Sequence, residues 1–134
     1  MVRPAVADKE AIRTERAPAP FQGAPYSQAI RHDQLVFVSG QLAIDPERNE
    51  LVDGGIEEQT EQVLKNLQAI LEEAGSSLDR LLKTTIFLAD LGDFAAMNEV
   101  YAKHVGETPP ARATIEVSAL PQGAKIEIEA VAHI

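Results

Sequence analysis

Apolar residues recur at three- and four-residue steps between Ile56 and Ala74. Ile56, Val63, Leu64, Leu67, Ile70, Leu71 and Ala74 share one side of that stretch, which predicts an amphipathic helix. Glu57, Glu58 and Glu61 load its first turns, where the helix dipole favours anions, and Gly75 is placed to stop it. A shorter helix is expected after Asp93, a candidate cap, with Phe94, Met97, Val100 and Tyr101 on a common side and Pro109-Pro110 closing the segment. Elsewhere the period changes to two or the run is continuously apolar. Leu35-Val36-Phe37-Val38-Ser39-Gly40 and Leu81 to Leu88 are rich in β-branched and aromatic residues and predict strands. The segment around Tyr26–Ile30 can extend ahead of the first, with His32-Asp33-Gln34 as a tight connection, and Asp45–Glu50 is expected to be a turn or loop. Two further strands are expected near the end, on either side of a turn at Leu120-Pro121-Gln122-Gly123: Pro110–Val117 and Lys125–Ala130.

The resulting order, β-β-α-β-α-β-β, predicts a two-layer α+β domain with both helices on one face of the sheet. No element is left to cover the opposite face. Apolar positions there would stand in water unless another copy of the chain packs on them, so the pattern predicts self-association. Residues 1–16 mix charge, alanine and proline without periodicity and are expected to form a loose, flexible N-terminal extension. Residues 17–134 form the single domain.

Composition narrows the chemistry. A chain of 134 residues buries roughly two-thirds of its extended surface, enough for one core. It has no cysteine, so disulfides and thiolate catalysis are excluded. His32, His104 and His133 match no metal-ligand spacing, and no metal or cofactor is expected. No apolar run reaches the roughly 20 residues that span a bilayer, and a cytoplasmic location without membrane contact is expected. The formal net charge of −9, without a Lys/Arg stripe, disfavours nucleic acid as a partner.

Several polar residues then stand out. Arg112 opens a strand whose backbone the preceding prolines hold extended. A guanidinium there either grips a carboxylate through two parallel hydrogen bonds or lies along the surface of an edge strand. Arg112, Thr114 and Glu116 face one way, and Ala113, Ile115 and Val117 the other. Glu127 opposes Ile126 and Ile128 and shares a face with Glu129. It either orients a water or belongs to a solvated polar face, and the two carboxylates would raise each other's pKa if enclosed. Asn98 lies close to the apolar side of its helix, so its amide needs a ligand or backbone partner. Tyr26 can wall a pocket or simply pack, and Ser39-Gly40 can offer backbone N–H groups or turn the chain. Ser39 has no His/Asp constellation to make it a nucleophile.

Ordered blocks then carry a family resemblance: Ala24-Pro25-Tyr26-Ser27-Gln28-Ala29-Ile30, Val38-Ser39-Gly40-Gln41, Lys83 to Leu91, Phe94 to Tyr101, Pro110-Ala111-Arg112-Ala113 and Lys125 to Ala130. Over residues 17–134 the chain resembles the reactive-intermediate deaminase family, RidA/YjgF. The resemblance implies a chorismate-mutase-like fold and a homotrimer with sites between subunits. It also implies cofactor-free hydrolysis of 2-aminoacrylate-type enamines and their imine tautomers to 2-oxo acids and ammonia. It assigns carboxylate binding to Arg112 and contact with the site's water to Glu127, with Tyr26, Ser39, Gly40, Asn98 and Thr114 as further substrate-binding positions. Relatives without the arginine are not deaminases of this kind, and this chain keeps it. Ala24 stands where a glycine often precedes Pro-Tyr, and Thr114 where some members have cysteine. A 2-oxo-acid-binding regulatory module would use the same pocket without turnover; holdase-like or RNA-cleaving roles are also attributed to relatives, and the net charge of −9 without a basic stripe disfavours RNA cleavage most.

Overall fold

A computed structural model describes residues 8–134. The first helix, α1 (Ile56–Glu73), and the second, α2 (Phe94–Ala102), lie on one side of a six-stranded sheet. Its strands are β1 (Glu10–Ile12), β2 (Ala29–His32), β3 (Leu35–Gln41), β6 (Leu81–Leu88), β7 (Ala111–Glu116) and β8 (Ile126–His133), in the spatial order β1-β2-β3-β8-β6-β7. The pair β6–β7 is parallel, with α2 in the crossover, and the other pairs are antiparallel. This is the two-layer α+β domain on a mixed sheet that the element order predicts.

All seven residues assigned to the apolar side of α1 are buried. They meet Val36 and Val38 of β3, Ile86 and Leu88 of β6, and Ile126, Ile128 and Ala132 of β8 in one core. The helix starts with the Gly55 N–H donating to the Glu58 carboxylate at 2.7 Å. It ends where Gly75 turns to φ +89°, letting the Ser76 N–H reach the Leu71 carbonyl and the Gly75 N–H reach that of Glu72. That pair of bonds is a Schellman stop, and the positive φ explains the glycine.

Four details differ from the sequence expectations. Glu10–Ile12 is not loose: it forms β1 against β2, with Ile12 and Thr14 buried. The rest of the expected extension, residues 1–7, lies outside the described residues. The loop at Asp45–Glu50 is closed by a two-stranded ribbon, β4 (Ile44–Asp45) with β5 (Glu50–Leu51). Asp93 makes no capping bond. Asp90 does, accepting the Gly92 N–H at 2.7 Å to start the single turn Leu91–Asp93 that leads into α2. Phe94 is 41% exposed, its ring against Arg112, while Met97, Val100 and Tyr101 are buried.

The face opposite the helices is open. Directly paired residues point to the same side, so Glu127, Phe87 and Ile115 form one row across β8, β6 and β7 on that face. Phe37 and Ile115 stand there 45% and 46% exposed, and Leu35 is also exposed. The uncovered apolar face expected from the sequence is therefore present. Among the described residues no helix is long and apolar enough to cross a membrane.

Candidate functional site

The residues singled out from the sequence assemble into two groups. The first surrounds a cavity of about 770 Å³ on the open face of the sheet, lined by Tyr26, Ser39, Gly40 and Glu127 among others. Between Val38 and Gln41 the pairing of β3 with β8 slips by one residue. A bulge of this kind interrupts the ladder and re-aims the chain, here at Ser39-Gly40. The Ser39 hydroxyl donates to the Ser27 carbonyl at 2.6 Å, and its N–H donates to the Gln28 carbonyl at 2.9 Å, so Ser39 fastens β3 to the segment carrying Tyr26. The Tyr26 hydroxyl accepts the Phe21 N–H at 2.8 Å.

Glu127 lies against Gly40. A β-carbon at Gly40 would fall on the Glu127 carboxylate, so the glycine leaves the space that the carboxylate occupies. Burial pushes the Glu127 pKa above the usual glutamate range, and the charge of Glu129 adds to the rise. Both causes disfavour the ionised form, and the carboxyl is thereby shifted towards the range where a general base works. No arginine, lysine or histidine lines this cavity.

Gly40→Ala tests the contact. The obstructing atoms are the far end of a flexible side chain, so stability should fall by no more than about 1 kcal/mol while the carboxylate is displaced. The variant should refold with a near-native denaturation midpoint yet lose roughly tenfold or more of any Glu127-dependent activity.

The second group sits on the helix side of the sheet. Arg112 on β7 reaches beneath α2, where its Nη1 donates to Asn98 Oδ1 at 2.7 Å. The guanidinium carbon lies 5.1 Å from the Tyr101 ring centre and 5.4 Å from that of Phe94. These contacts fix the side chain through cation–π attraction and one hydrogen bond. Tyr101 is itself held by a 2.6 Å hydrogen bond between its hydroxyl and that of Thr84, the residue paired with Arg112 on β6. Burial raises the Tyr101 pKa, opposed by Thr84 and the Arg112 charge. Among the described residues no carboxylate lies within ion-pair distance of Arg112. A guanidinium has five N–H donors, so most remain for an anion. Thr114, two residues along on the same face, has a buried hydroxyl without a hydrogen-bond partner.

The two groups do not meet within one chain. Arg112 pairs with Thr84 and Glu127 with Phe87, so they are three rows and two strands apart, roughly 14 Å between α-carbons at ordinary strand spacings. They also face opposite sides of the sheet. The strands β7 and β8 follow each other in sequence, but β6 lies between them. Sequence reasoning also missed the roles of Phe94 and Tyr101. Their spacing from Asn98, four before and three after, was a usable signal that one helix face presents two rings and an amide together. Among the described residues no cluster of three or more metal-binding side chains occurs.

The family model described as Endoribonuclease L-PSP matches residues 14–134. A RutC family protein of Pyrococcus abyssi is 54% identical over 125 residues, covering 93% of this chain and 97% of that protein. The human 2-iminobutanoate/2-iminopropanoate deaminase is 44% identical over 124 residues, covering 92% and 89%. The crystal structure of RidA from the Antarctic bacterium Psychrobacter sp. PAMC 21119 superposes with a TM-score of 0.89 at 45% identity, covering 93% of this chain and 99% of that one. This chain belongs to the RidA/YjgF family of reactive-intermediate deaminases and shares its two-layer fold.

Proposed function

We propose that the chain hydrolyses 2-imino acids, and their enamine tautomers, to 2-oxo acids and ammonia, at sites formed where two copies of the chain meet in a homotrimer. The observation that carries this reading is the division of the site. One half holds a half-buried carboxyl of raised pKa in a cavity without a cation. The other holds an anchored guanidinium with unspent donors and no carboxylate partner. A small anionic substrate needs both, and only a second copy brings them together. The exposed apolar residues on the sheet's open face supply the surface for that contact.

In the assembled site Arg112 holds the substrate carboxylate in a fork, with the unpartnered Thr114 hydroxyl available as a further hydrogen-bonding group. Water on the Glu127 side attacks the imine carbon. The carboxylate takes a water proton as the C–O bond forms and returns it to nitrogen. In the resulting carbinolamine the carboxylate carries the hydroxyl proton to nitrogen as well, so ammonia leaves as the C–N bond breaks and the carbonyl of the 2-oxo acid forms. A single positioned acid/base contributes about 10²–10⁴-fold, in proportion to a reaction that already proceeds in water. The deaminase name of the human relative supports this chemistry.

The direct experiment generates an imine with an amino-acid oxidase and traps it as the semicarbazone. The protein should lower semicarbazone yield catalytically and release the 2-oxo acid. No change in trapped imine at any protein concentration would refute the reading. Binding of a 2-oxo acid without turnover would instead favour a sensor module.

A further inference from the structure

The cavity beside Glu127 is larger than a three- or four-carbon imino acid needs, and most of its wall is not part of the polar machinery. Away from Ser39, Gly40 and Glu127 the apolar part of the wall includes Pro18, Ala19, Pro20, Phe21, Leu42 and Ile44, with Gln22, Gln41, Asn49 and Glu129 as further polar lining. Resting on the deaminase reading, we propose that this wall is a side-chain subsite and that the chain prefers imino acids bearing a branched aliphatic side chain, such as the leucine-derived imine, over the alanine-derived one.

The wall is preformed. Gln28 is buried at 3% exposure, and its carboxamide acts as a clasp. Its Oε1 accepts the Thr14 N–H at 2.7 Å. Its Nε2 donates to the carbonyls of Thr14 at 3.0 Å, Ala17 at 3.2 Å and Pro18 at 2.9 Å. These bonds pin the irregular segment before Pro20 to β2. Arg16 fastens the same segment to α1, through Glu72 at 3.1 Å and the Ala69 carbonyl at 3.4 Å. Beyond Pro20, the bond from the Phe21 N–H to Tyr26 holds the next turn. At Leu42 and Ile44, Asn66, fully buried in α1, donates to their carbonyls at 3.1 Å and 2.9 Å. Both stretches of wall are therefore tied to the core by side-chain amides, so a ligand spends little ordering them.

A methyl group leaves such a wall wet, whereas an isobutyl group covers it. One methylene in an apolar pocket is worth about 10-fold or more in discrimination. Gln28 acts at a distance from the reacting atoms, as a positioning residue. Losing its clasp should weaken binding of the larger side chain more than that of the smaller.

The test compares kcat/KM for leucine- and alanine-derived imines by semicarbazone trapping. The leucine-derived imine should be favoured by about tenfold or more. Gln28→Ala should reduce that preference several-fold, mainly through KM for the leucine-derived imine. Ala19→Leu, at an exposed position whose change does not threaten folding, should reduce it by occupying the wall. Turnover of the alanine-derived imine without preference for the larger one overturns the subsite while leaving the deaminase reading intact. A preference that both variants leave untouched overturns it as well. Acceleration of neither imine removes both.

Discussion

Arg112→Ala should abolish measurable imine hydrolysis while the protein still folds. A hydrogen bond to a charged group contributes about 1.5–3 kcal/mol, so losing a two-bond grip on the substrate carboxylate costs roughly 10²–10⁴-fold in kcat/KM. Arg112→Lys keeps the charge but not the planar fork, and it also leaves Asn98 and the two rings with a different partner. It should recover only a small part of the loss. The structural cost is smaller, because the interactions removed are two cation–π contacts and one part-buried hydrogen bond on an edge strand, together about 1–3 kcal/mol. Thermal unfolding followed by circular dichroism should show a modest shift, and wild-type turnover in Arg112→Ala would remove the anchor from the account.

Glu127→Gln should lower kcat by about 10²–10⁴-fold with a smaller change in KM, since the amide keeps the shape but cannot take a proton. The pH dependence gives an independent signature. A base works in its ionised form, so activity should rise with pH through the Glu127 pKa. Burial and Glu129 place that rise above the usual glutamate range. Glu129→Gln removes one of the two causes and should move the rise to lower pH without abolishing turnover. The same shift affects stability with the opposite sense. A carboxyl whose folded pKa is raised favours the folded state below its unfolded pKa, and that contribution is lost as pH rises through the folded value. Glu127→Gln should therefore flatten the decline in stability across that window. A pH–rate profile whose acid limb is unchanged in both variants would exclude Glu127 as the base.

Much of this architecture was readable from the residues. The apolar side of α1, its stop at Gly75 and the range of β6 all follow from periodicity, turn chemistry and β-branched runs, which are local properties. What escaped is non-local. Glu10-Ala11-Ile12 is too short to show alternation, and it becomes a strand only because β2, formed by residues that follow much later, offers an edge. Phe94 fits the apolar stripe of α2 on spacing, yet its ring stacks on Arg112, which the later strand β7 brings beneath it. The separation of the two charged groups is the clearest case. Each was visible as a charge in an apolar run, and strand alternation gives each its face within its own strand. Nothing local says that β6 intervenes or that the two faces are opposed. The link between the carboxylate and Gly40 escaped for the same reason, since it depends on the register of β3 against β8.

On the proposed function, the guanidinium of one copy and the carboxylate of another complete each site. Subunit complementation tests it most directly. Arg112→Ala and Glu127→Gln, each inactive alone, are co-expressed or mixed under conditions that exchange subunits. If each site draws the two groups from different copies, random assortment restores both to about one quarter of the sites, and a corresponding share of wild-type turnover returns. Mixed oligomers that remain as inactive as either parent would contradict the account.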